Sequence, residues 1–177
     1  MHIRLPLLVS SLLLALPTAS NALDDSARDL MIEALVHGSA QMPLDADGMF
    51  GRAVTAIRAS TNDAGPVVLY TQRLQMFKDQ PRCGRVLFVV GQPSAHQVWP
   101  ELGGQLNICE NGDPPQRVCR NAPGKLVLAN ARCSDGTTPI DTPEVKQAID
   151  AAVAAGSMKP EDAAKLMQQP SNRPARR

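Results

Sequence analysis

Neither sign of charge predominates in this sequence: 18 Lys and Arg face 17 Asp and Glu over 177 residues, a formal net charge of +1. Binding nucleic acid requires uncompensated positive surface to neutralise phosphates, so this balance argues against a nucleic-acid partner. Long apolar runs are also missing. After residue 22 no stretch of 18 consecutive apolar residues occurs, and no transmembrane segment is expected in the remainder. The phosphate-cradling G-x-x-x-x-G-K-[ST] loop, the G-x-G-x-x-G turn and the H-E-x-x-H helix are absent, which removes the starting point for nucleotide and zinc-protease chemistry. Aromatic residues make up 3% of the chain, with Trp99 the single tryptophan.

What is present is an apolar fraction of 44%, too high for a disordered chain. The first 22 residues read as an export signal. Met1 to Arg4 give a short charged start and Leu5 to Leu16 a mostly apolar run of the length of a signal-peptide core. Pro17 breaks that run, and Ser20 and Ala22 place small residues three and one positions before a cut at Leu23. No Cys follows the small residues, so a lipid-anchored form is not indicated. The expected mature chain has 155 residues with 17 Lys and Arg against 17 Asp and Glu, and its expected location is the periplasm or the outside of the cell.

Cys83, Cys109, Cys119 and Cys133 all fall in the mature chain. Export makes two disulfides the expected state, since oxidising compartments hold such pairs closed. No C-x-x-C occurs, so a thioredoxin-type site is unsupported. Every gap between successive cysteines is at least nine residues, unlike the close pairs of a four-cysteine zinc site, and neither a metal nor a cofactor is expected. Cys109 and Cys119 flank the turn-forming run Asn111-Gly112-Asp113-Pro114-Pro115. The expected pairing is therefore a hairpin clasped by Cys109 and Cys119, with Cys83 joined to Cys133.

Residues 23–167 are expected to form one α+β domain with helices at both ends and a small antiparallel sheet of about five strands between them. Ala27, Leu30, Met31, Ala34 and Leu35 recur at helical spacing behind a start at Asp24, Asp25 and Ser26, and Gly38 ends the helix. Residues 47–60 suit helix or strand, with helix slightly favoured. Val67 to Phe77 and Arg85 to Val90 read as a hairpin, the second strand being the most buried. Eight prolines between Pro81 and Pro143 exclude long helices there and leave room for short strands at Gln105 to Cys109, Gln116 to Arg120 and Lys125 to Leu128. This disulfide-bonded core covers about residues 66–140. Asp141 and Glu144, at capping-box spacing around Pro143, start a helix that Gly156 closes. A second helix, Glu161 to Met167, completes a C-terminal helical hairpin over about 142–167, and residues 168–177 form a polar tail expected to be disordered.

The candidate functional residues are few. His37, beside Gly38, reads as a helix-end residue interacting with terminal carbonyls. His96 lies in the loop Gln92-Pro93-Ser94-Ala95-His96, near Ser94, but the second glycine of a nucleophile elbow is missing. Asp45-Ala46-Asp47-Gly48 resembles part of a calcium loop, yet position twelve counted from Asp45 is Ala56 rather than Glu, so a turn and helix cap is expected. Trp99 stands in what reads as a loop, Val98 to Gly104, where an aromatic side chain can anchor a partner or cover the sheet edge. Trp99, with His96 beside it, is the binding site expected from sequence.

Location together with the missing catalytic constellation leads to an exported, non-catalytic binding protein. The expected partner is an envelope protein, and the expected role is an accessory or structural component of an envelope assembly such as secretion or conjugation machinery. A periplasmic inhibitor or immunity protein is the second reading, and a small hydrolase using His96 with Ser94 the third.

Overall fold

The computed structural model describes residues 25–156 and 158–168. The expected signal peptide, residues 1–22, and residues 169–177 of the expected polar tail lie outside the described residues, while Gln168 is the last residue of a helix. The element order is α1 (Asp25–His37), β1 (Ser39–Pro43), α2 (Gly51–Thr61), β2 (Val68–Met76), β3 (Cys83–Gln92), β4 (Gln97–Cys109), β5 (Arg117–Cys119), β6 (Ala122–Val127), α3 (Pro143–Ala155) and α4 (Pro160–Gln168). The fold is α+β, with an antiparallel sheet, helices at both ends and two disulfides. The strands divide into a four-stranded sheet of order β1-β2-β3-β4 and a separate pair, β5-β6.

Alternation along the strands assigns the two faces of the larger sheet. Leu69, Val86, Val90 and Ile108 meet α1 and α2, whose Ala27, Leu30, Met31, Ala34, Leu35, Val54 and Ile57 are all buried. The helical face read from α1 is thus the face it buries. On the opposite side Val68, Tyr70 and Val89 pack on Ala163 and Leu166 of α4. Phe77, Cys83 and Cys109 pack on Val145 and Ala148 of α3. β3 is therefore covered on both faces, which is why its sequence is almost continuously apolar. The two C-terminal helices dock on different parts of the sheet instead of forming their main cluster with each other.

Three expectations are corrected. First, the sheet has a strand that the sequence pattern does not announce: β1 is five residues long and pairs with β2, Ala40 opposite Thr71. Second, Val98 to Gly104 is part of β4 rather than a loop. Phe88 pairs with Gly104 and Val90 with Trp99, so the four residues Pro100 to Gly103 stand opposite Val89 alone in a wide bulge. A side chain at Gly103 would come within 2.7 Å of the Phe88 carbonyl oxygen, so glycine is required for that bulge. Third, the disulfides join Cys83 to Cys109 and Cys119 to Cys133. Cys83 and Cys109 face each other directly across β3 and β4, whereas β4 and β5 belong to different sheets and form no hairpin to clasp.

The start of α3 uses its polar residues differently from a capping box. Thr142 is the cap, its Oγ1 accepting from the Val145 N–H at 3.4 Å. Asp141 instead pairs with Arg117 at 2.9 Å, and Glu144 accepts from the N–H groups of Lys78 and Asp79 at 2.8 and 3.1 Å. Replacing Thr142 with Ala is expected to lower the unfolding free energy by about 1 kcal/mol, while Thr142→Ser retains most of it. Urea titrations of the two variants check this, and equal losses would show that the hydroxyl does not act as the cap.

Candidate binding groove beside the cross-strand disulfide

An apolar groove of about 410 Å³ lies at the end of the sheet where β3 begins and β4 ends. Its floor is the Cys83–Cys109 disulfide. One wall is residues 79–82 of the β2–β3 connection; the second comes from the β4–β5 connection, residues 110–116; Leu126 and Leu128 form the third.

Backbone hydrogen bonding fixes these walls against one another. The Gln80 side chain, 7% exposed, donates through Nε2 to the Gln116 carbonyl at 3.0 Å and accepts through Oε1 from the Gln116 N–H at 2.7 Å. It therefore imitates one rung of a β-ladder between two loops, satisfying backbone groups that neither loop satisfies itself. Glu144 holds the first wall to α3 through the N–H groups of Lys78 and Asp79. In the second wall the Asp113 N–H donates to Asn111 Oδ1 at 3.1 Å and the Cys109 N–H to the Asp113 carbonyl at 2.9 Å, closing a tight turn. Arg28 of α1 donates to the Asn111 carbonyl at 2.9 Å, tying that turn to the main core.

The chemistry of the groove is apolar inside and acidic at the rim. Leu126 is 38% exposed and Leu128 is 61% exposed, so two large aliphatic side chains face solvent beside the cavity. Asp79, Glu110 and Asp113 line it with Arg82 as the only cation among the described residues there, and Arg82 is taken by Glu110 at 2.8 Å. Asp79 and Asp113 have no ion-pair partner among the described residues.

The residues expected to form the site lie elsewhere. Trp99 is on β4 opposite Val90, at the other end of that strand from Cys109, and is half-buried against the main core. Exposed His96 follows a single turn of 3-10 helix, Pro93–Ala95, with a left-handed backbone at φ 52°, and its N–H donates to the Pro93 carbonyl at 3.1 Å. Ser94 is beside Asp63, not drawn toward His96. The Gly65 N–H, at 2.6 Å, and the Ser94 hydroxyl hold the Asp63 carboxyl below its ordinary value. His37 is exposed at the end of α1, where Arg73 rather than the imidazole takes the terminal carbonyls of Leu35 and Val36 at 2.7 and 3.2 Å. Asp45 to Gly48 form a turn leading toward α2, and no cluster of three or more His, Cys, Asp or Glu suited to a metal occurs among the described residues.

Sequence reading missed Gln80, Leu126 and Leu128 as site residues. Leu126 and Leu128 fall within an expected strand, and their alternation with Val127 is the available signal that both share one face. No protein-family model matches this chain, and no curated protein or solved structure is detectably similar to it.

Proposed function

We propose that this protein is an exported, non-catalytic binding component of an envelope assembly, and that the groove on the Cys83–Cys109 disulfide receives a segment of an envelope protein. The observation that carries the reading is the pairing of exposed Leu126 and Leu128 with unneutralised Asp79 and Asp113 around one cavity. That combination fits a segment presenting an apolar side chain next to Lys or Arg. Two disulfides suit an oxidising compartment, and among the described residues no helix is long and apolar enough to cross a membrane. Rigid walls favour binding because little loop entropy is lost when a partner docks.

The test places a photocrosslinking side chain at position 128 in the full exported protein. The expected result is a discrete adduct with an envelope protein, whose crosslinked peptide carries Lys or Arg beside an apolar residue. Neutralising the rim with Asp79→Asn and Asp113→Asn together is expected to lower adduct yield about three- to tenfold, the range set by two partly exposed ion pairs. An equal adduct from a crosslinker at position 146 on α3, or a yield indifferent to the two substitutions, would overturn the reading. Capture of a soluble hydrolase would replace the assembly role with inhibition.

A further inference from the structure

A second cavity, of about 280 Å³, shares no residue with the groove and lies on the sheet face that carries α3 and α4. Arg85 of β3 is its most unusual wall residue. The residue is 8% exposed, and its partners are neutral amides: Nε donates to Gln105 Oε1 at 2.6 Å and Nη1 to Asn107 Oδ1 at 2.7 Å. No carboxylate is in ion-pair contact with it among the described residues. Nη2 has no protein acceptor among them either.

A buried guanidinium stays charged and is costly without a counter-ion. Burial accordingly depresses its pKa from the ordinary arginine value. Gln105 and Asn107 stand at alternate positions of β4 and orient the guanidinium without neutralising it, leaving donors suited to a carboxylate. Glu101, in the bulge of β4, lines the same cavity and has no ion-pair partner among the described residues. Leu87, Pro100, Val153 and Met158 supply apolar wall to the same cavity.

We propose that this cavity binds a free apolar α-amino acid as its zwitterion, Arg85 taking the carboxylate and Glu101 the ammonium group. Phosphate and sulfate fit less well, because Glu101 would repel them. A peptide C-terminus or an acidic side chain would fill the Arg85 donors but bring no cation to Glu101. The volume suits one small ligand rather than a peptide.

The experiment is an NMR titration of the oxidised full chain with L-leucine, L-methionine and L-valine, each to about 20 mM, reading backbone and arginine side-chain shifts. Expected are saturable shifts at Gly103, Gly104 and Arg85 for at least one of the three. N-acetyl-leucine, which lacks the ammonium, and leucinamide, which lacks the carboxylate, are each expected to bind at least tenfold more weakly. Glu101→Gln, at an exposed position, is expected to weaken the amino acid at least fivefold and to leave N-acetyl-leucine bound as tightly or more tightly, since the repelling carboxylate is gone. Arg85→Met is expected to abolish binding of all ligands. No saturable shift with any of the three amino acids overturns the proposal, and so does N-acetyl-leucine binding as tightly as leucine.

Discussion

Replacing Cys83 and Cys109 together with Ala is expected to lower the unfolding free energy by about 3.5 kcal/mol, the chain-entropy value for a loop of this length. The two cysteines are 26 residues apart in sequence, against 14 for Cys119 and Cys133, whose removal is expected to cost about 3 kcal/mol on the same relation. The larger effect has a second source. Cys83 and Cys109 are buried with Phe77, Val145 and Ala148, so the sulfur atoms also form part of the seat of α3. Hydrogen exchange in α3 should therefore accelerate in the Cys83 and Cys109 variant, and much less in the other. A peptide map without reductant checks the connectivity itself. Trypsin should release residues 83–85 joined to residues 86–117, and residues 118–120 joined to residues 133–146. A link between residues 86–117 and 118–120 would restore the hairpin pairing, and a stability loss below about 1 kcal/mol would show that the bridge adds little to the ladder already present.

The error in that pairing has a definite physical origin. Counting outward from the turn at Pro93 to Ala95, a regular hairpin brings Gln92 opposite Gln97 and Val90 opposite Trp99, as observed. Continued without interruption, the same count places Cys83 three positions short of Cys109. The bulge at Pro100 to Gly103 supplies the missing three residues, and it does so in a segment whose Pro and paired Gly resemble a loop. Local composition concealed a strand, and the concealed strand hid the true partner of Cys83. Elements with strong periodicity had no such competitor. The face of α1 and the apolar run of β3 are both where the sequence places them, because each is set by burial along its own length. β1 escapes notice because five residues with one buried position carry no pattern; its strand character comes from pairing with β2.

The candidate site was less legible than the fold for a related reason. Gln80 is an ordinary polar residue in sequence, and only the chain segment brought against it gives its amide something to bond. Arg85 was an exception in principle. It precedes the apolar run 86–90 of β3, and Gln105 and Asn107 occupy alternate positions on β4 in a register that only the bulge reveals. Polar residues that are to meet across two strands are thus visible as a pattern once pairing is known, and not before.

Gln92→Glu is expected to destabilise the protein by about 3 kcal/mol at pH 7, because it puts a carboxylate where a buried donor is needed. Gln92 is fully buried at the end of β3. Its Oε1 accepts from the Thr61 hydroxyl at 2.8 Å, and its Nε2 donates to the carbonyls of Asp63 and Gly65 at 2.8 and 3.3 Å. One side chain thus fastens the connection between α2 and β2 to the sheet. Gly65 keeps a second donor in Arg58 at 3.2 Å, and Thr61 a second acceptor in Ile57 at 3.1 Å, but the Asp63 carbonyl has no second donor among the described residues to replace the one it loses. A carboxylate at position 92 would face two carbonyl oxygens, so its folded pKa would rise above the unfolded value of about 4.3. An acid whose pKa is raised by folding is penalised at high pH and relieved as the pH falls toward the unfolded value. The deficit relative to wild type should therefore shrink toward pH 4, where the protonated carboxyl at position 92 donates its hydroxyl to the Asp63 carbonyl. Urea titrations of the variant and wild type at pH 7 and pH 4 provide the measurement; a difference that does not change with pH would mean that the position 92 side chain is hydrated rather than clamped between these carbonyls.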